Sequence, residues 1–212
     1  MSDESPAPIT DDVQDHTAPY ALWIDGVGGY LLCLSHCVTI GQAQVQQHGQ
    51  ADIALLADIS RHHATLHRDS EGYWLEALKP ARIHGKPIAK EFLRNGDRIT
   101  LGKSCQLQFF QPVPMSISAR LDIVSGHRFA EPIEAVLLLA DTPVVIGPSA
   151  QAHVQVPEMT ESLKLLRTKT GMVVCWPGEI SGPDGVVQGR APLVPGTTVS
   201  TDQITLALER MR

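Results

Sequence analysis

The stretch "ADIALLADISRHHATLHRD", residues 51–69, decides how the first half of the chain is interpreted. Its two flanks, "ADIALL" and "ATLHRD", are typical of β-strands. The segment between them holds Ser60, Arg61, His62 and His63. Such a dense polar segment is compatible with a metal site, a catalytic serine–histidine arrangement or a loop that binds an anion. The surrounding sequence indicates which of these three kinds of site is present.

The composition favours a protein of short strands and turns. The chain has 212 residues, 17 glycines and 15 prolines, and this length fits one large or two small domains. Its formal net charge is −6 and its pI is about 5.8. Proteins that bind duplex nucleic acid or membrane surfaces are usually basic, so the sequence predicts neither partner.

The four cysteines, at positions 33, 37, 105 and 175, form no Cys-x-x-Cys pair and match no common zinc spacing. We interpret them as small buried apolar residues in preference to a disulfide framework. The start of the sequence has no basic, apolar signal pattern. The longest apolar run, residues 135–140, is too short to cross a bilayer. These features predict a soluble, cytoplasmic protein.

Residues 1–19 contain five acidic residues and no Lys or Arg. This composition predicts a flexible acidic tail. Thr10 is followed by Asp11 and Asp12, which makes it a candidate for phosphorylation by a kinase.

From Tyr20 onward, strand-like runs alternate with glycine turns, and the sequence predicts an all-β fold. Asn95-Gly96-Asp97 is the strongest hairpin signal in the chain. The proline-rich "QPVPM" at 111–115 predicts a boundary. Beyond it, five features of the first half recur in the same order with shifts near 100, such as Gly147 for Gly41, where 147 − 41 = 106. We therefore predict two tandem β-sandwiches at 20–112 and 116–212, joined by a linker at 113–115.

The motifs "TIGQ" at 39–42, "SRHHA" at 60–64 and "LRNGDRITLG" at 93–102 resemble those of the forkhead-associated (FHA) family. The resemblance implies a β-sandwich whose loops at one end bind phosphothreonine peptides in signalling partners. It implies no catalysis and no cofactor. Ser60 and Arg61 match the phosphate-binding positions, and His63 matches a histidine that holds the loop rigid. The resemblance also implies structural roles for Gly41, Gly85, Gly96 and Asp97, which stand at turns or at a position of close packing.

The first copy departs from the family pattern at the rest of the expected phosphopeptide site. Gln42 stands where the family has an arginine that contacts phosphate. The Asn-Gly-Thr loop has no counterpart, because only Lys79, Pro80 and Ala81 separate Leu78 from Arg82. His84 stands where the second turn usually has asparagine. We therefore expect Gln42, Lys79 and His84 to line a weakened site with Ser60 and Arg61.

The second copy retains none of these residues. Pro148 replaces the arginine, and Met159, Thr160 and Ser162 stand at the positions of Ser60, Arg61 and His63. We expect this copy to bind no phosphate and to pack against the first copy or contact another protein.

Two other interpretations of the histidine-rich stretch are weaker. A metal site from His62, His63 and His67 lacks an acidic or cysteine ligand at suitable spacing. A hydrolase would need a nucleophile elbow, which is absent from the sequence. Two functions of a non-enzymatic protein-interaction module remain: a reader of phosphothreonine with reduced affinity, and a degenerate FHA scaffold that binds proteins independently of phosphate.

Overall fold

The computed structural model describes residues 18–44, 49–113 and 116–211, and every regular element in these ranges is a β-strand. No helix in this part of the chain is long and apolar enough to span a membrane. The all-β prediction is therefore confirmed. Most of the predicted acidic tail, including Thr10, and most of the predicted linker lie outside the described residues.

Nineteen strands are present in the described ranges. The first ten are β1 (Tyr20–Ile24), β2 (Gly28–Cys33), β3 (Cys37–Gln42), β4 (Ile53–Leu56), β5 (Ala64–Arg68), β6 (Tyr73–Ile83), β7 (Lys86–Phe92), β8 (Arg98–Leu101), β9 (Cys105–Phe110) and β10 (Ala119–Ile123). The others are β11 (Arg128–Phe129), β12 (Ala135–Leu138), β13 (Val144–Gly147), β14 (Val154–Gln155), β15 (Leu163–Thr168), β16 (Gly171–Gly182), β17 (Gly185–Leu193), β18 (Thr197–Ser200) and β19 (Thr205–Arg210).

A central sheet runs through the molecule in the order β8-β9-β10-β12-β2-β1-β19-β18. Its neighbours are antiparallel except at the middle, where β2 and β12 pair in parallel and Tyr30 lies opposite Ala135. Parallel strands are usually covered on both faces and consist of continuous apolar residues. This explains the apolar runs of β2 and β12, since every residue of β12 and all but Gly28 of β2 are buried.

The two faces of this parallel pair carry two separate hydrophobic cores. Leu32 and Leu137 point into one core together with residues of β13 to β19. Leu31 and Val136, their neighbours along the same strands, point into the other core together with residues of β3 to β9. Successive side chains of a strand point to opposite faces, so one pair of strands serves both cores.

An outer layer covers each core, and the two layers have the same strand order. The first is β4-β3-β5-β6-β7, and the second is β14-β13-β15-β16-β17. The register repeats with shifts that the sequence comparison gave. Ile40 lies opposite Ala64 in the first layer and Ile146 lies opposite Leu163 in the second, a shift of 163 − 64 = 99 on the partner strand.

Each core includes a hairpin from the other half of the chain. The β1–β2 hairpin pairs with β19 and contributes Leu22 and Ile24 to the core of the second half. The segment from β10 to β12 pairs with β9 and contributes Leu121 and Phe129 to the core of the first half. The two cores are therefore not confined to the predicted units 20–112 and 116–212, because β2 and β12 contribute to both cores, and β1 and β10 each contribute to the core of the other half.

The Asn95-Gly96-Asp97 turn is present, but it does not form the hairpin that the sequence predicts. Strands β7 and β8 on its two sides both pair with β6, which lies between them. The turn is instead bonded to β9, since the Gly96 N–H donates to the Phe109 carbonyl at 2.8 Å. Tertiary pairing thus overrides the local hairpin preference of Asn-Gly.

The buried guanidinium of Arg68 fastens the ends of the two parallel strands. Its Nη1 donates to the carbonyl of Leu139, just after β12, at 2.9 Å, and its Nη2 donates to the carbonyl of Leu34, just after β2, at 3.2 Å. The side chain is only 6% exposed. A buried charge is costly unless it is hydrogen-bonded. The two carbonyls therefore stabilise the buried guanidinium, and the guanidinium provides each carbonyl with a hydrogen-bond donor.

His153 fixes the segment that leads into β10. Its Nδ1 accepts from the Val145 N–H at 3.0 Å, so its Nε2 carries the proton and donates to the Ser118 carbonyl at 3.0 Å. Burial lowers the pKa of His153, the bond to Ser118 opposes this, and the charge of Arg120 lowers the pKa further. The imidazole is therefore held in its neutral form.

The exchanged hairpins predict that neither half folds alone. A fragment of residues 116–211 lacks the β1–β2 hairpin, and a fragment of residues 18–113 lacks the β10–β12 segment. We expect each fragment to show no cooperative unfolding by circular dichroism, and an equimolar mixture to regain a cooperative transition as a heterodimer. A cooperative transition of either fragment alone would contradict this.

His153 predicts a specific dependence of stability on pH. Because its folded pKa is depressed, the unfolded chain binds the proton more readily. Its stabilising contribution is therefore complete above the unfolded pKa of about 6.5 and is lost as pH falls from there toward the folded pKa. We expect the difference in unfolding free energy between the natural chain and His153→Asn to shrink between pH 7.5 and pH 5. A difference that is constant across this range would argue against the assignment.

Candidate functional site

The loop from Asp58 to His63 is packed directly against the end of β3. A Cβ atom at Gly41 would lie 1.7 Å from the Arg61 carbonyl oxygen, so only glycine permits this contact. The Gln42 N–H donates to the Ser60 carbonyl at 3.0 Å. These contacts bring together three of the predicted site residues, Gln42, Ser60 and Arg61.

His63 braces this loop from within. The side chain is 3% exposed. The Ser60 N–H donates to its Nδ1 at 3.2 Å, and its Nε2 lies 3.1 Å from the Pro80 carbonyl oxygen. A backbone N–H can only donate, so Nδ1 is an acceptor, while Nε2 faces both the Pro80 carbonyl oxygen and the Gly102 N–H, which approaches it at 3.1 Å. His63 therefore connects the loop to β6 and to the end of β8.

The backbone of His63 adds further bonds to neighbouring strands. Its N–H donates to the Ile40 carbonyl at 2.9 Å, and its carbonyl accepts from the N–H groups of Leu78 and Lys79, both at 3.0 Å. Pro80 and the Lys79 backbone are thus part of the support of the loop. The Pro80 contact could not be predicted from the sequence, because any residue can supply a carbonyl acceptor.

No loop exists where the family has Asn-Gly-Thr. Residues Tyr73–Ile83 form one continuous strand, with an irregularity between Glu76 and Ala81 in its pairing with β7. The segment that the sequence suggests as a shortened loop is therefore a bulge within β6. Lys79 lies on this bulge and is exposed, beside the Ser60–His63 loop.

The loop presents a hydroxyl and a guanidinium that are not used by the fold. Within the described part of the chain, Ser60 Oγ and the Arg61 side chain form no hydrogen bond or ion pair. Ser60 is half-buried and Arg61 is exposed. The Ser60 N–H does not face outward, since it is bonded to His63. A hydroxyl and a guanidinium side by side can bind a tetrahedral oxyanion through charge-assisted hydrogen bonds.

His84 lies apart from this loop. It follows β6 and, with Gly85, makes the tight turn to β7, where both residues have positive φ, 47° and 81°. Its Nε2 lies 2.8 Å from Asp97 Oδ1. Asp97 also accepts from the Arg94 N–H at 2.8 Å and thereby closes the turn that contains Gly96. Five residues of strand, roughly 16 Å, separate His84 from Lys79, so the structure does not place it in the candidate site.

The second half offers no equivalent group at the corresponding place. Met159 is buried in the core, and the Thr160 N–H and hydroxyl are both bonded to the Gln203 side chain. Ser162 packs against Gly147, whose Cβ would lie 2.6 Å from Ser162 Oγ. Pro148 has no N–H to repeat the Gln42 bond. This part of the chain therefore keeps the close glycine contact without the polar groups.

The histidines near the loop serve different purposes. His67 stacks on Trp74 with ring centroids 5.7 Å apart and lies 3.0 Å from a Glu76 carboxylate oxygen. His62 is exposed. Across residues 18–44, 49–113 and 116–211, no three His, Cys, Asp or Glu side chains are grouped so that they could hold a metal ion. The four cysteines of these ranges form no disulfide.

The Gly41 contact predicts a large effect from a small substitution. In Gly41→Ala the new methyl group meets a backbone oxygen, which cannot move without displacing the loop. We expect a loss of about 1–3 kcal/mol in unfolding free energy, as for other overpacked sites. Gly126→Ala is a matched control, because its Cβ would meet no atom within 4 Å. Equal stability of both variants, measured by urea unfolding, would contradict the contact.

Comparison with known proteins finds similarity to FHA domains. The family model of the FHA domain matches residues 38–102. Similar solved structures include the FHA-2 domain of the Mycobacterium tuberculosis ABC transporter Rv1747, with 20% sequence identity over 59% of this chain and 90% of that chain and a TM-score of 0.32. No curated protein matches the chain.

Two further structures are similar over a shorter part of the chain. One comes from a structural and functional analysis of phosphothreonine-dependent FHA domain interactions, with 24% identity over 40% of this chain and 88% of that chain and a TM-score of 0.29. The other is the Rv0020c FHA structure, with 26% identity over 40% of this chain and 84% of that chain and a TM-score of 0.27. The FHA family model thus matches residues 38–102 of this chain, and the Gly41, Ser60, Arg61 and His63 arrangement lies within that range.

Proposed function

We propose that this FHA domain recognises a phosphothreonine-containing segment of a signalling partner, with Ser60 and Arg61 as the phosphate contacts. The proposal rests on two polar side chains, Ser60 and Arg61, that form no hydrogen bond or ion pair within the described residues. Ser60 is half-buried and Arg61 is exposed, while His63 joins the loop to Ile40 and Pro80. A preorganised loop does not have to be ordered when the ligand binds, which favours affinity.

The same geometry supports weak binding. Gln42 occupies the position of a third phosphate contact, and its amide is neutral, so it offers no charge-assisted bond. The continuous strand β6 leaves no loop to hold the peptide backbone. Lys79, exposed beside the loop, is the remaining cation that can approach the phosphate. Hydrogen bonds to charged groups contribute about 1.5–3 kcal/mol each, so the loss of one bond is a large part of the affinity.

The alternative function is a scaffold that binds proteins without reading phosphate. It is favoured by Gln42, by the missing loop and by two apolar side chains near the site, Leu56 and Leu78, which are 56% and 51% exposed. Under either function the chain is a non-enzymatic interaction protein with no cofactor, and we place it in the cytoplasm. Residues 116–212 would then be a degenerate FHA copy with a supporting role.

Calorimetry with a phosphothreonine peptide and its unphosphorylated form distinguishes the two functions. We expect weak, phosphate-dependent binding by the natural chain. Gln42→Arg should tighten it by roughly tenfold to a hundredfold, because one charge-assisted hydrogen bond is restored. Arg61→Ala should abolish most of the phosphate-dependent binding in both backgrounds.

Arg190→Ala serves as the control, since Arg190 is an exposed arginine in β17 of the second half. It should leave binding unchanged. If the folded Gln42→Arg variant binds both peptides equally or binds neither, phosphothreonine recognition is excluded and the scaffold function is the better description.

A further inference from the structure

Charge is unevenly distributed along this chain. Residues 1–17 contain five acidic residues and no Lys or Arg, which gives −5. Residues 79–103 contain seven Lys or Arg and two acidic residues, which gives 7 − 2 = +5. The rest of the chain therefore carries −6 − (−5 + 5) = −6. The only strongly basic stretch thus matches the acidic segment in magnitude and opposes it in sign.

The fold gathers part of this basic stretch around one open cavity. It has a volume of about 620 Å³ and is lined by Arg82, Arg98 and Lys103 with polar side chains of β8 and β9. Arg82 is paired with Thr100 across β6 and β8, and Arg98 is paired with Gln108 across β8 and β9. These side chains lie on the face of the sheet opposite to Ile99 and Leu107, which are buried in the core. We call this surface the basic face.

The cations of the basic face have no acidic partner in the described ranges. The Arg82 guanidinium donates only to the carbonyls of Gly102 and Lys103. The three ion pairs found between described residues involve His67, His84 and Arg120 instead. Asp97, the acidic residue nearest in sequence to Arg98, is only 13% exposed at its side chain and is engaged by His84. The basic face therefore has unsatisfied positive charge.

We propose that the acidic segment 1–17 of this chain docks on the basic face, through its carboxylates to Arg98, Lys103 and Arg82. The described chain begins at Ala18, two residues before β1. Five strand spacings of about 4.8 Å, roughly 24 Å, separate β1 from β8 across the central sheet. Seventeen residues span up to about 56 Å when extended, so the segment is long enough even if it must pass around the second half.

This docking does not rest on the proposed phosphate recognition, although the two surfaces adjoin. The Gly102 N–H, at one edge of the basic face, donates to the Pro80 carbonyl at 3.0 Å and lies 3.1 Å from His63 Nε2, while His84 lines the cavity at another edge. Charge attraction alone determines the contact, so it needs no phosphorylation and weakens with salt. An acidic segment of a partner would have to displace the tail, which makes residues 1–17 an intramolecular competitor for this surface.

Zero-length cross-linking of the full chain tests the proposal. A carbodiimide joins a carboxylate to a lysine amine only when the two are in contact, and mass spectrometry identifies the products. We expect links from residues 1–17 to Lys103, at yields that do not depend on protein concentration and that fall when salt is raised to 0.5 M. Arg98→Ala should reduce this link by roughly two- to fivefold, the effect of one exposed ion pair.

Two other lysines provide the reference sites. Lys79 reports contact at the edge of the basic face that adjoins the Ser60–Arg61 loop, and Lys169, exposed after β15, reports random contact. Lys169→Ala should leave the Lys103 link unchanged, and circular dichroism should show that each variant is folded. Links mainly to Lys79, equal links to all three lysines, or no links from residues 1–17 would each overturn the proposal.

Discussion

The parallel pairing of β2 with β12 is the constraint on which the rest of this structure depends. It joins two strands about a hundred residues apart in the chain, and it places an apolar core on each face of the same two strands. Because both faces are covered, a polar side chain at Leu31, Leu32, Val136 or Leu137 would enter one core or the other. The two halves therefore share their interior instead of meeting at a surface.

Polar residues secure this arrangement at its edges. Arg68 binds the carbonyls that follow both parallel strands, and Arg167, in the corresponding strand of the second half, also donates to the Leu34 carbonyl, at 2.7 Å. His153 holds the segment before β10. The Ser60–His63 loop is held by other residues. His63 and Gly41 position it against β3 and β6, which belong to the outer layer. The Ser60–His63 loop and the shared interior are thus supported by different residues.

The sequence predicted what depends on short-range patterns. The all-β fold follows from turn glycines and strand-like runs, and the similarity to FHA domains follows from motifs that lie within residues 38–102. The proposed phosphate-contact residues Ser60, Arg61 and Gln42 come together because Gly41 brings their backbones close. Alternation of apolar residues, however, shows only that a strand has a buried face, and it does not tell which strand will lie beside it.

The exchange of hairpins between the two cores could therefore not be predicted from the sequence. The apolar pattern of the β1–β2 hairpin is compatible with packing in either core. The sequence also did not predict the bulge at Lys79, which depends on the pairing of β6 with distant strands. The bonding of the Asn95-Gly96 turn to β9 was not predicted either, because this contact is also long-range. The Asp97 contact of His84 likewise depends on two turns that are distant in sequence.

The pairing of β1 with β19 has a mechanical consequence. Tyr20 lies opposite Arg210, and the Met211 N–H approaches the Pro19 carbonyl at 3.4 Å, so both ends of the described chain leave the molecule at one point. Tension applied through these ends would open the β1–β19 ladder one hydrogen bond at a time, like a zipper, and would not shear all its bonds together. The same closeness means that the whole unit could be inserted into a surface loop of another protein with little strain on the host.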